Sequence, residues 1–203
     1  MPKISLLLNM CITVIGTALL FFGTNHFQAF TAEQARRIDI LNHTPQLENV
    51  TFEDSKGVFT TLGDYKGKYI IATFVYTSCG DICPIVESNL QEIYLSLPEH
   101  ILGEIIQILS ISFDPDRDTP HHLEHYRQLF KADGQSWKMV RIPDRQELRV
   151  LLEQTGVVVI PTETGYEHNA AFYLINPEGQ LIRIFNYDAP EKITKEVKQM
   201  LSI

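Results

Sequence analysis

The chain opens on nineteen residues without a charge, Ile4 to Phe22, broken by one strongly polar side chain, Asn9. As a helix, such a run roughly crosses a ~30 Å hydrocarbon core. A cleaved signal peptide is the competing reading. However, the small residues after Phe22 form no convincing cleavage pair, and Phe27 and Phe30 fall where a cut would lie. The pattern therefore predicts an uncleaved membrane anchor over residues 1–23. With Lys3 on the short side, the amino terminus is cytoplasmic and the remainder extracytoplasmic. Residues 24–45 are polar and unperiodic, and predict a juxtamembrane linker ending at Pro45.

From residue 46 onward the periodicity alternates. Val50–Phe52 and Val58–Thr61 flank the turn sequence Asp54-Ser55-Lys56-Gly57 and predict two short strands. The apolar runs Lys68–Tyr76 and Ile105–Phe113 predict buried strands. Between them Val86, Leu90, Ile93, Tyr94 and Leu97 repeat at helical spacing until Pro98. Asp118-Thr119-Pro120 supplies a capping residue and a first-turn proline, and predicts a helix running to Gly134. A short strand, Trp137–Ile142, precedes a helix over Arg145–Thr155 that Gly156 stops. Strands Ala170–Ile175 and Gln180–Asn186 are joined by Asn176-Pro177-Glu178-Gly179, and a helix over Glu191–Leu201 follows. This order predicts a single α/β domain over 46–203, a mixed sheet flanked by helices.

Composition narrows the function. Against 17 Lys and Arg stand 25 Asp and Glu, a net charge of −8 in 203 residues with no basic cluster, which excludes a nucleic-acid partner. Of three cysteines, Cys11 lies in the anchor, so the exported domain carries one pair, Cys79 and Cys83. In an oxidising compartment such a pair becomes a disulfide unless a metal or reductant intervenes. One close pair cannot staple a domain of this size, so its purpose is chemical.

Thr77-Ser78-Cys79-Gly80-Asp81-Ile82-Cys83-Pro84 follows a buried strand and opens a helix, where sites in α/β sheets lie. Four apart on a helical turn, the two Cβ atoms come within about 5–6 Å, suited to a disulfide or to two ligands of one metal. The loop is one residue longer than the C-x-x-C of dithiol oxidoreductases. Asp81 between the sulfurs disfavours a thiolate and favours a bound cation. Soft sulfur ligands with one imidazole suit copper. Among seven histidines, His26, His43 and His100 fall in the linker or a loop, and His121, His122 and His125 share one helix. His121 and His125 on one face could chelate a metal, although a solvated face explains them as well. His168, in the loop Pro161–Asn169 before a strand, is a candidate third ligand.

The segments TFVYTSCGDICP, SFDPDRDTP and the histidine ahead of FYLINPEG, in that order from about Leu47 to the carboxyl terminus, resemble the SCO/SenC proteins. These are copper-handling factors of cytochrome oxidase assembly. The resemblance implies a thioredoxin-like fold behind an N-terminal transmembrane helix, and a copper site, Cu(I) or Cu(II), on Cys79, Cys83 and His168. It implies copper delivery to the copper-bearing subunit of cytochrome c oxidase, or reduction of that subunit's cysteines by the same two thiols. A sensor acting through a partner is a third reading. Other copper chaperones and thiol-disulfide reductants are further implied partners, and an inner (plasma) membrane with the domain on the periplasmic side is the implied location. Three positions depart from the family: Gly80 replaces a common proline, and Glu167 and Asn169 flank the histidine. The acidic stretch Asp114–Pro120 reads as a structural loop and cap rather than a second metal site.

Overall fold

A computed structural model describes residues 2–24, 26–163 and 165–202, without the side chains of residues 2–5 and 7. The chain divides into two compact units, residues 1–43 and 44–203.

The first unit holds two helices, α1 (Pro2–Gly23) and α2 (Ala32–His43). Among the described residues no helix is long and apolar enough to cross a membrane. Part of the apolar run Ile4–Phe22 falls on the side chains left out of that description. The polar, unperiodic segment read as a juxtamembrane linker contains α2. The Thr31 hydroxyl accepts from the Gln34 N–H at 3.1 Å, the Gln34 side chain accepts from the Phe30 N–H at 2.8 Å, and Glu33 pairs with Arg36 and Arg37. Reciprocal capping and pairs three and four residues apart support a helix that buries none of its side chains.

The second unit carries a seven-stranded mixed sheet. Its strands in chain order are β1 (Thr51–Asp54), β2 (Phe59–Thr61), β3 (Tyr69–Val75), β4 (Ile106–Ser112) and β5 (Trp137–Arg141), then β8 (Ala171–Ile175) and β9 (Leu181–Asn186). Between β5 and β8 lies a separate two-stranded hairpin, β6 (Val159–Pro161) and β7 (Tyr166–His168). The sheet order is β2-β1-β5-β4-β3-β8-β9, parallel across β5-β4-β3 and antiparallel elsewhere. β4 and β8 are buried along their whole length and β3 nearly so, as strands covered on both faces require.

The helices are α3 (Ile82–Ser96), α4 (Pro120–Leu129), α5 (Arg145–Thr155) and α6 (Pro190–Leu201). α3 buries Cys83, Val86, Glu87, Leu90 and Ile93, the stripe of a helix packed along one face. α5 has the ends its sequence predicts: the Asp144 carboxylate accepts from the N–H groups of Gln146 and Glu147, and Gly156 at φ 68° closes it.

Three expectations are corrected. α4 stops at Leu129 rather than Gly134, because Lys131 adopts a left-handed φ of 56° and Asp133 gathers the N–H groups of Gln135, Ser136 and Trp137 into a loop. In the capping stretch Thr119 holds the N-cap position without a side-chain capping bond, its hydroxyl lying 3.2 Å from His122 Nδ1, and Asp118 turns inward. The loop expected over Pro161–Asn169 contains β7 and the end of β6, so His168 sits on a strand.

Candidate metal centre

The parallel strands β3 and β4 end side by side, Val75 opposite Ser112, and the candidate residues gather beyond those ends. Asp118, fully buried, ties the two ends together. Its carboxylate accepts from the Thr77 N–H at 3.0 Å, from the Thr77 hydroxyl at 2.5 Å and from the Ser112 hydroxyl at 2.5 Å. This fixes the backbone two residues before Cys79.

Cys79 and Cys83 are free thiols, 8% and 0% exposed. Cys83 lies in the first turn of α3, and its N–H donates to Cys79 Sγ at 3.4 Å. The two thiols are driven apart in acidity. Burial alone would raise Cys79. Hydrogen bonds from the Cys83 thiol, from the N–H groups of Cys83 and Asp81, and from the Tyr76 hydroxyl outweigh it and hold Cys79 below the usual thiol range. Burial pushes the Cys83 thiol far up, and the adjacent Cys79 sulfur adds to the rise. Asp81, expected to disfavour a thiolate, acts on Cys79 through its backbone N–H, which favours one.

His168 arrives from the hairpin, with Nε2 3.6 Å from Cys83 Sγ. Its ring packs on Phe113, centroids 5.0 Å apart, and Phe113 in turn meets Tyr76 and Tyr166. The hairpin is held at both ends. Tyr76 Oη accepts from the Tyr166 N–H at 3.3 Å, while Asn169 accepts from the Val158 N–H at 2.7 Å and donates to the Gly156 carbonyl. At Gly165 a Cβ would lie 2.7 Å from Tyr76 Oη, so only glycine lets the hairpin approach this closely. Burial lowers the His168 pKa, which keeps the imidazole neutral, the form a ligand needs. Nδ1 is buried with no hydrogen-bond partner among the described residues. Metal binding at Nε2 would place the ring proton on Nδ1.

The donor set fits a soft metal. Ordinary metal–sulfur and metal–imidazole bonds of about 2.3 and 2.1 Å at a tetrahedral angle put sulfur and nitrogen about 3.6 Å apart. Cys83 and His168 already stand at that separation. Among the described residues no three His, Cys, Asp or Glu side chains are gathered tightly enough to hold an ion, so Cys79, Cys83 and His168 would have to draw closer to share one. His121, His122 and His125 are all exposed on α4 and belong to no such group.

Sequence reasoning missed the surround: Tyr76 and Phe113, the residues just past β3 and β4, with Tyr166 and Asp118. Position at the ends of parallel strands was the available signal for the first two.

A mixed α/β sheet with two unequal thiols at a strand-to-helix turn, faced by an imidazole, defines a thioredoxin-like dithiol protein equipped to bind a soft metal. The chain belongs to the SCO1/SenC family, whose model matches residues 44–202. It is 24% identical over 151 residues to the SCO1 protein homolog of Bacillus subtilis, covering 73% of this chain and 76% of that one. It is 29% identical over 136 residues to the protein sco1 of Schizosaccharomyces pombe, covering 65% of this chain and about half (51%) of that one. Yeast Sco1, solved with copper bound, superposes with a TM-score of 0.61 at 27% identity, covering 76% of this chain and 90% of that one.

Proposed function

We propose that this protein binds copper through Cys79, Cys83 and His168 and delivers it to the copper-bearing subunit of a respiratory cytochrome c oxidase. The observation that carries the reading is the 3.6 Å approach of His168 Nε2 to Cys83 Sγ, beside a second free sulfur. Copper bound to yeast Sco1, a protein of the same fold and family, supports the choice of metal. Copper, when bound, would be the cargo. The chain's own residues supply two sulfurs of unequal acidity, a neutral imidazole, and an aromatic wall of Phe113, Tyr76 and Tyr166 that keeps water from the inner side. The apolar run Ile4–Phe22 supports tethering to the inner membrane with the domain on the extracytoplasmic side.

Titration of the reduced protein should saturate at one copper per chain. Cys79→Ser or Cys83→Ser should remove that stoichiometry, and His168→Ala should weaken it by about a hundredfold or more, the cost of losing one of three ligands. Full affinity in His168→Ala would overturn the ligand set.

A second reading is favoured by the unequal thiols. A lowered Cys79 and a raised Cys83 match an attacking and a resolving thiol, so the same pair could reduce the oxidase cysteines. This activity needs both sulfurs but not His168. Oxidase activity in a strain carrying His168→Ala separates the readings: full rescue supports reduction, and failure supports copper delivery.

A further inference from the structure

Next to the Cys–His cluster lies a cleft of about 220 Å³. Its apolar lining includes Phe113, Tyr166, Leu148 and Leu152, and its rim carries Arg145 and Arg149. Phe113 is shared between cleft and centre: the same ring packs against His168. One ring separates cleft and centre, so the cleft is within reach of a polypeptide that presents a sulfur or a copper site to Cys79 and Cys83.

The rim charges are unequal. Asp116 pairs with Arg145, and Asp114 is taken by Arg117, whose guanidinium lies 5.1 Å from the Tyr166 ring centroid. Arg149 bonds to the Gln146 amide and, among the described residues, pairs with no carboxylate. Three guanidiniums thus face two carboxylates on a chain of net charge −8, a local positive excess. The volume holds one or two side chains and falls short of the ~300 Å³ at which small-molecule pockets begin.

We propose that this cleft docks an acidic residue with an apolar neighbour, carried on the polypeptide that reacts at the Cys–His centre. The apolar side chain enters between Leu148, Leu152 and Phe113, and the carboxylate meets Arg149. The ring contacts put the cleft within about 10 Å of the sulfurs, about three residues of extended chain. The proposal rests on reading Cys79 and Cys83 as the reacting pair.

Reaction of the reduced full-length protein with peptide probes tests it, with Cys11→Ser in parent and variant alike so that thiopyridone release reports Cys79 and Cys83 alone. Each probe is a ten-residue peptide whose single cysteine is joined to 2-thiopyridine as a mixed disulfide, with a Glu-Leu or a Lys-Leu pair three residues away on either side. The protein thiolate attacks the peptide sulfur. A new S–S bond forms, the old one breaks, and its electron pair leaves with 2-thiopyridone, which is read by absorbance. The Glu probe should react about tenfold faster than the Lys probe, and Arg149→Glu should abolish or invert that preference. Small, neutral 2,2′-dithiodipyridine should react equally with parent and variant, showing the thiols intact. Equal rates for the two probes on the parent, or an unchanged preference in Arg149→Glu, overturn the docking site. Inert thiols towards dithiodipyridine would overturn the reacting pair itself, a distinguishable failure.

Discussion

Replacing Asp118 with alanine is expected to destabilise the domain by about 3–5 kcal/mol and to dissolve the acidity difference between the two thiols. The fully buried carboxylate accepts three hydrogen bonds, two from Thr77 and one from Ser112, and these span the ends of two parallel strands. Alanine leaves the Thr77 N–H and two hydroxyls without their acceptor in a site closed to water, which is why the cost exceeds that of one ordinary hydrogen bond. The functional effect follows from position. Thr77 precedes Cys79 by two residues, and the contacts that lower the Cys79 thiol depend on where that loop holds the sulfur. Cys79 alkylation followed against pH should show its pKa climbing towards the ordinary thiol value, while Asp118→Asn, which keeps one acceptor oxygen, should retain part of both properties. Urea unfolding of the reduced protein supplies the stability. An Asp118→Ala variant with parental stability and a still-lowered Cys79 would refute the role.

The second large effect lies beneath the centre. Glu87 follows Cys83 by one helical turn on the buried face of α3 and is completely enclosed. Ser110 donates to Glu87 Oε2 at 3.0 Å and accepts from the Trp137 indole at 3.1 Å, but Oε1 has no partner among the described residues. Burial raises the Glu87 pKa from 4.5 to about 8, the Ser110 bond opposing it only in part. A carboxyl raised on folding destabilises the native state where the unfolded chain would ionise it. The penalty is absent below about pH 4.5, grows as pH rises towards 8, and levels off above, with a ceiling of roughly 5 kcal/mol. Glu87→Leu removes the penalty and leaves Ser110 paired with Trp137. In urea unfolding the variant should match the parent to within about 1 kcal/mol near pH 4.5 and exceed it by about 2–4 kcal/mol at pH 9. A difference that does not change with pH would contradict this.

Much of the sheet was legible because its central strands are long, continuous apolar runs. β3 and β4 lie inside the stretches Lys68–Tyr76 and Ile105–Phe113, and α5 covers the expected Arg145–Thr155 and stops at Gly156. What escaped reading was held by contacts rather than periodicity. α2 has too few apolar residues to show a stripe, and three-residue strands such as β6 and β7 are too short to alternate. Within the centre, the spacing of Cys79 and Cys83 announced a site. His168, 85 residues further on, needed the order of motifs to single it out. Asp118 was read with the rest of Asp114–Pro120 as a structural loop and helix cap; only its distance to Thr77, 41 residues away in sequence, reveals the clamp. Glu87 gave no signal, since a glutamate on a helix is usually solvated.

One imidazole and two sulfurs are expected to share a single copper ion, and copper-edge X-ray absorption of the protein loaded with one equivalent reads that sharing directly. Two sulfurs at about 2.2–2.3 Å and one imidazole nitrogen at about 2.0 Å are expected, with the imidazole scattering lost in His168→Ala. A spectrum without imidazole, or with a single sulfur, would contradict it.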